Sequence, residues 1–499
     1  MNHYLTCLLW FPPTEFCNDG SSYGYRDANS NGSTTACGSA PGPLIRMEPG
    51  NTYKLTLRNT AADSSLYTNI HTHGLHISGS GDADDITRKV PGGSCLDYTW
   101  DIPSDHPGGT YWYHPHYHTQ TNTQTAGGAF GMIIIEEKAT NTLNAWASDI
   151  ANELVLLVSD AGSLLGNGNK NEVLQIEVNR WYRLRTSVVT PGARASDLKF
   201  VGNSCTVYNV ASDGVWHNAA LTAYAESSFT MTGASRKDFA IKCSAAESVD
   251  VNWGRKTAAT LQVGSFGSGT GQSSTGDDVN DLGVAPSAPP SLDWSNPYTP
   301  CATCSYSVAL SGAQINGESW DEFNPLDVID YGNVYEWTIS GSGAHPFHLH
   351  LYHMKIVSPG GCGAHKEGEF YDTISASGSC VVQFKAIDIG QRMVMHCHVL
   401  SHEDNGAMHW IDVTGTPNPN EVVSPSYTCS SAETGPPNPS PVASPVDPPV
   451  ASPTEPPVEG PTCSTTTCTR NSDCCIGRCN RRTGNCLNQR FLRNDAAFT

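Results

Sequence analysis

Ten of the eighteen histidines stand in four short clusters, two near the front of the chain and two near the back. They are His71-Thr72-His73-Gly74, His114-Pro115-His116, His345-Pro346-Phe347-His348-Leu349-His350, and His396-Cys397-His398 followed by His402. A neutral imidazole nitrogen and a cysteine thiolate are both good ligands for transition metals. On a β-strand, residues two apart share a face. His71 therefore points with His73, His114 with His116, His348 with His350, and His396 with His398. Cys397 points the other way. His345 is an odd step from His348, so it lies away from the His348/His350 face. It can join Cys397, with His402 brought round by the intervening turn. Parity thus divides the residues into two sites. One holds His345, Cys397 and His402; the other holds the remaining eight histidines.

Ligand type then sets the chemistry. Two imidazoles and one thiolate, with a weak or absent axial ligand, make the blue-copper electron-transfer arrangement. Eight imidazoles with no carboxylate among them suit a cluster of copper ions. Cys397 lies between His396 and His398, so an electron reaching the first site has a short covalent route into the second. A lone histidine is more often a surface or satisfied core residue, and a single His-x-His pair is as readily a zinc site. Four clusters sharing one parity around one cysteine point to a metal assembly.

The elements that must hold these residues read as β-structure. Of 499 residues only 15% are charged and 38% are hydrophobic, with 47 Gly and 32 Pro. That composition is loop-rich and β-like, not a helical bundle. The net charge of −20 repels phosphate backbones and excludes nucleic acid as a partner. No run of about 18 apolar residues exists to span a membrane. Tyr53-Lys54-Leu55-Thr56-Leu57 alternates, and Gly131-Met132-Ile133-Ile134-Ile135 reads as a buried strand. A second β unit begins near Glu153 and fades near 265. Residues 266–300 are Gly/Ser-rich, then Pro-rich, and a third β unit runs from about Tyr306 to Val413. Residues 430–461 read as an extended Pro-rich linker. Strands without amphipathic helices suggest sandwiches or barrels.

With these motifs in order, the sequence resembles a multicopper oxidase of the laccase type. The family's HxHG, HxH, HxxHxH and HCHxxxH motifs are all present, and Gly109-Thr110-Tyr111-Trp112-Tyr113-His114 matches a flank. The resemblance covers roughly residues 40–430, and is faint in the middle. It implies an all-β fold of three cupredoxin-like Greek-key β-sandwich domains, expected at 1–148, 149–290 and 291–429, with a type 1 copper in the third. It implies four copper ions. His345, Cys397 and His402 would bind type 1 copper, and His71 and His348 type 2. His73, His114, His116, His350, His396 and His398 would bind the type 3 pair. The family takes single electrons from a small reducing substrate and reduces dioxygen to water. Two acidic places resemble its proton donors: Glu403, directly after His402, and one of Asp82 or Asp84.

The chain departs from the family at two places. The axial position ten residues past Cys397 is Ala407, not Met, Leu or Phe, and Met408 follows it. If the register holds, Met408 points away and the copper lacks a thioether, which tends to raise its potential. Leu351 replaces the glycine that commonly follows HLH. Phenols or aromatic amines are the expected substrates, placing the chain in the hydroquinone:oxygen oxidoreductase class. An Fe(II) or Mn(II) metallo-oxidase is the alternative. A Cu(I) oxidase ranks low, because the 8 Met are scattered. A scaffold that has lost its copper ligands conflicts with the intact set. A two-domain nitrite reductase would lack the full type 3 set.

Eighteen cysteines are too many for a reducing cytosol unless most bind metal, so a secreted protein is expected. The sequon Asn31-Gly32-Ser33 agrees, while Met1 to Trp10 fails as a signal peptide. Family resemblance pairs Cys95 with Cys429, and proximity in sequence pairs Cys205 with Cys243, Cys301 with Cys304, and Cys362 with Cys380. Cys463, Cys468, Cys474, Cys475, Cys479 and Cys486 resemble a knottin-like module, expected at 462–490, whose six cysteines allow 15 pairings. Its arginines 470, 478, 481 and 482 suit an anionic wall or matrix ligand; an inert, protease-resistant end is the other reading.

Overall fold

The computed structural model describes residues 8–415 except 12–13, 19–21, 28–39, 138–152, 162, 193–194, 218–225, 267–291, 293–297, 342–344, 359 and 376–377; it also describes 478–480 and 485–487. The chain divides into two compact units, Met1–Ser431 and Ala432–Thr499.

Among the described residues the first unit holds six β-sheets, consistent with three cupredoxin β-sandwich domains. The front pair has a five-stranded sheet built around Thr52–Asn59 and a four-stranded sheet in the order Ile45–Met47, Gly131–Ile135, Gly109–His114, His71–His73. The middle pair has six and five strands, running from Glu153–Asp160 to Lys256–Gly264. The third pair also has six and five, and its five-stranded sheet runs Asp327–Asp330, Met408–Thr414, Gln391–Cys397, Phe347–Leu349, Thr373–Ile374. Parallel neighbours such as Ile45–Met47 beside Gly131–Ile135 require crossover connections between the sheets.

Each pair of sheets encloses its own apolar core. Tyr53, Leu55 and Leu57 point into the front core with Tyr98, Trp100 and Ile133, which explains their alternation. Gly131–Ile135 is buried on both faces, which explains its unbroken apolar run. Ile133 and Ile135 face the front core, while Met132 packs with Leu157 and Val189 of the middle strands. That contact seals the front and middle layers together.

Two short helices, Thr121–Ala126 and Leu400–Asp404, lie beside the histidine-bearing strands. Asp404 accepts hydrogen bonds from the backbone N–H groups of Thr121 (3.1 Å) and Asn122 (2.8 Å), tying the third sandwich to the first. Disulfides join Cys205–Cys243, Cys301–Cys304 and Cys362–Cys380, as proximity suggested. Cys17 and Cys95 are also disulfide-bonded, while Cys429 lies outside the described residues. Among the described residues no helix is long and apolar enough to cross a membrane.

In the second unit, Arg478–Asn480 pairs antiparallel with Asn485–Leu487, setting Cys479 opposite Cys486. The expected linker at 430–461 and the rest of the expected knottin-like module lie outside the described residues.

Candidate metal centre

The eight-histidine site forms where a strand pair of the first sandwich meets one of the third. His71–His73 runs antiparallel to Gly109–His114, with His71 opposite His114. Phe347–Leu349 runs antiparallel to Gln391–Cys397, with His348 opposite His396 and Phe347 opposite Cys397. Just past the strand ends, the His116 N–H donates to Asn69 Oδ1 (2.6 Å) and the His350 N–H to the Val394 carbonyl (2.8 Å). All eight side chains are buried. The two halves interleave: His71 stacks on His350 with centroids 4.1 Å apart, and His73 on His348 at 3.7 Å.

Hydrogen bonds fix which ring nitrogen is left for a metal. His71 Nδ1 donates to Asp84 Oδ2 (2.8 Å), His114 Nδ1 to the Pro115 carbonyl (2.9 Å), and His348 Nδ1 to the Asp372 carbonyl (2.8 Å). The Nε2 atoms of these three histidines have no hydrogen-bond partner. His73 is reversed. Its Nε2 lies 3.3 Å from Asp372 Oδ1, and its Nδ1 has no partner. His350 Nε2 and both nitrogens of His398 are likewise unpartnered, and His116 Nε2 faces His396 Nε2 at 3.1 Å. An unsatisfied buried polar atom costs about 1–3 kcal/mol, so such a concentration calls for a ligand. The donor atoms form triads within 4.8 Å, including His71/His73/His114, His71/His348/His350 and His116/His350/His396. These residues fit metal ions.

Protonation agrees with ligation. Burial first, and then neighbouring imidazoles, holds His71, His114, His348 and His350 well below the usual histidine range. His73 is lowered in the same way, with Arg236 also contributing. Burial brings His396 to about 4 and His398 to about 3. His116 is also brought to about 4 by burial, against the opposing pull of Glu403. A neutral imidazole is the form that binds a metal.

The second site is a triangle of His345 Nδ1, Cys397 Sγ and His402 Nδ1. Its edges are 3.3 Å (His345–Cys397), 3.7 Å (Cys397–His402) and 3.1 Å (His345–His402). Cys397 is the free cysteine among the described residues, and burial pushes its thiol up to about 12. Without a metal it therefore keeps its proton, and coordination must displace it. His402 is half-buried and gives the site its opening toward solvent.

Ala407 lies in the core around Cys397, donating its N–H to the His402 carbonyl (2.8 Å) and accepting from the Cys397 N–H (2.9 Å). Met408 sits opposite His396 and packs instead with Ile86, Val394 and Trp410. The thioether thus points away from the triangle. Leu351, standing where the family has glycine, has φ +71°, a backbone region that costs a non-glycine residue about 1–2 kcal/mol.

The acidic residues separate. Asp84 is buried at the cluster, with Oδ1 accepting from the Thr72 N–H (2.9 Å) and Oδ2 from His71. Asp82 is exposed, and its backbone carbonyl accepts from the Thr99 N–H. Of the two, the structure brings only Asp84 to the histidines. Glu403 is fully buried, with Oε1 3.3 Å from His116 Nδ1 and Oε2 3.1 Å from His396 Nδ1. Burial raises both carboxyls, so each holds its proton more firmly than in water.

Sequence reasoning missed Asp372, Arg236 and Asp213, which belong to no histidine motif. The only available signal was that buried imidazoles need orienting partners. His353 is buried and donates to the Asp213 carbonyl (2.7 Å). His118 is half-buried beside Trp320.

Family models described as multicopper oxidase match residues 22–140 and 286–416, the two stretches that carry every one of these histidines. The chain belongs to the multicopper oxidase family. Its histidine clusters are consistent with type 1, type 2 and type 3 copper sites. The oxidase is 25% identical to a multicopper oxidase of Staphylococcus haemolyticus over 412 residues, covering 76% of this chain and 83% of that protein. It is 29% identical to Laccase-2 of Thanatephorus cucumeris over 215 residues, covering 36% of this chain and 35% of that one. In fold it matches a multicopper oxidase from Pediococcus acidilactici with TM-score 0.63 at 19% identity, over 82% of this chain and 88% of that chain. A multicopper oxidase from Campylobacter jejuni, described as a metallo-oxidase, matches with TM-score 0.61 at 19% identity, over 80% and 90%.

Proposed function

We propose that this multicopper oxidase is laccase-like, taking single electrons from phenols or aromatic amines beside His402 and passing them to dioxygen. His345, Cys397 and His402 would hold type 1 copper. His71 and His348 would hold type 2 copper, and His73, His114, His116, His350, His396 and His398 the type 3 pair. When bound, the coppers supply one-electron acceptance at the first site and four-electron reduction of dioxygen to water at the second.

The observation that carries the reading is the position of Cys397. Its Sγ belongs to the triangle that opens through half-buried His402, while its chain neighbours His396 and His398 are buried in the cluster. Electron entry and dioxygen chemistry are thereby separated in space and joined by a few bonds. Glu403 would hold a proton beside His116 and His396, where oxygen reduction would consume it, while Asp84 accepts from His71 Nδ1 and orients that ring. The disulfides support placement outside the reducing cytosol.

One observation favours the metallo-oxidase reading. The loop carrying Glu318, Asp321 and Glu322 rests on the segment just after His402, with the Trp320 N–H donating to the Gly406 carbonyl (3.0 Å). Exposed Glu318 and Glu322 bring negative charge near the electron-entry side, as a divalent-metal substrate requires. Oxygen uptake by copper-loaded protein with a phenol and with Fe(II), each alone, decides between them. Blue colour with phenol-driven uptake supports the laccase reading; faster uptake with Fe(II) supports the metallo-oxidase. Blue colour with no uptake from either refutes both substrate assignments.

A further inference from the structure

The middle sandwich contributes no histidine to either site, yet two of its charged residues reach the cluster. Arg236, fully buried at the start of strand Arg236–Cys243, extends toward Asp372 of the third sandwich. Nη1 donates to Asp372 Oδ1 (2.9 Å), and Nη2 donates to Oδ2, making a two-point fork. The arginine is itself anchored, with Nε donating to the Thr110 carbonyl (3.3 Å) and Nη1 to that of Ala234 (2.9 Å). Asp213, also from the middle sandwich, accepts from the backbone N–H groups of Arg236 (2.9 Å) and Asp372 (3.3 Å).

Asp372 stands behind the ligands. Its carbonyl accepts from His348 Nδ1 (2.8 Å), and its Oδ1 lies 3.3 Å from His73 Nε2 and accepts from Thr373 Oγ1 (2.9 Å). Asp372 therefore meets the ring nitrogens that face away from the cluster. The opposite atoms, His348 Nε2 and His73 Nδ1, are the unpartnered ones. Asp372 thus meets these two rings on the side away from their unpartnered atoms. It also explains why His73 is reversed relative to His71, His114 and His348. With a carboxylate at its Nε2, His73 keeps its proton there and presents Nδ1.

Gly74 completes the arrangement. Its φ is +87°, and a Cβ at this position would overlap Arg236 Nη2 and Asp372 Oδ2. The glycine of His71-Thr72-His73-Gly74 is needed both for the turn and for room beside this ion pair.

We propose that Arg236 and Asp372 form a positioning clamp that selects the His73 tautomer and locks the stacked His73/His348 pair. The middle sandwich would thus set cluster geometry without supplying a ligand. This inference rests on the reading of His73 and His348 as copper ligands. Loss of an outer partner of a metal ligand typically weakens metal affinity about 10–100-fold.

The test uses the full-length, copper-loaded protein and the variants Asp372→Asn and Arg236→Lys. Each is titrated with a copper chelator while copper per chain, the blue type 1 absorption, the type 2 EPR signal and the melting temperature are followed. Asp372→Asn is expected to release cluster copper at about 10–100-fold lower chelator concentration. The type 1 band should persist at parental chelator levels. Arg236→Lys should shift the same way by less, because an ammonium keeps the charge but not the fork. If Asp372→Asn does not fold, Arg236→Lys decides on the same criteria. Parental chelator resistance of cluster copper overturns the clamp. So does joint loss of type 1 copper, cluster copper and melting temperature, which is the signature of a merely structural pair. A parent chain with four coppers and blue colour keeps the ligand reading intact even when the clamp fails. A parent that binds none removes both.

Discussion

Glu403→Gln separates proton delivery from electron entry. The carboxyl is fully buried between His116 and His396, with oxygens 3.3 Å and 3.1 Å from their Nδ1 atoms. Burial raises its proton affinity, only partly offset by His116, so it is suited to hold a proton where oxygen is reduced. Glutamine keeps the shape and removes the transferable proton. A positioned acid contributes roughly 10²–10⁴-fold in rate. A half-buried carboxyl likewise raised by burial, Asp404 beside Glu403 in the chain, remains in the variant, which selects the lower end of that range. The expected loss is about 100-fold, or ~2.7 kcal/mol of barrier. The assay pairs steady-state oxygen uptake at saturating phenol with anaerobic bleaching of the blue band by the same phenol. Bleaching should be unchanged while uptake collapses, in protein shown to retain four coppers. Uptake within a few-fold of the parent would refute the proton-relay reasoning. Equal slowing of both signals would move Glu403's effect to electron entry.

Cys397→Ser should abolish blue colour and turnover together, checked by the visible spectrum and oxygen uptake; surviving turnover on the same substrate would break the type 1 assignment. Ala407→Met adds bulk to a fully buried position beside Cys397. It should cost about 1–3 kcal/mol in chemical denaturation and, where its sulfur reaches the triangle, lower the type 1 potential measured by redox titration. A potential equal to or above the parent's would contradict an axial role for this position. Removing residues 430–499 should leave oxygen uptake by the remaining oxidase unchanged, since Met1–Ser431 is a compact unit of its own; a large loss of turnover would show that the tail takes part.

The gathering of the histidines into two groups was legible because strand parity constrains the faces of His71, His73, His114, His348 and His396. A one-residue slip turns a side chain to the other face, so His-x-His spacing already specifies which rings share a site. The inward packing of Ala407 and outward packing of Met408 follow from the same rule. The depletion of charge and the Gly/Pro content indicated β-layers, and the local cysteine pairs followed from short separations. The orienting residues were hidden for a different reason. Asp372 and His73 are 299 positions apart, and Arg236 and Asp372 are 136 apart. No local period encodes such meetings. Asp82 and Asp84 were inseparable in sequence because their difference arises from burial in an irregular turn. Leu351 was visible as a departure, but its left-handed backbone was not.

The interleaving of front and rear histidines has a consequence for how the protein is made. His116 and His396, which face each other in the cluster, are 280 residues apart. At about 5–20 residues per second, a ribosome needs roughly 15–60 s to travel between them. During that interval the front histidine pairs exist without their stacking partners, as half-sites with too few nitrogens to discriminate among divalent metals. The complete set of facing nitrogens exists only once the last sandwich has docked onto the first. A chain stalled before residue 345 carries only the front histidines, with none of the rings that they stack against in the finished fold.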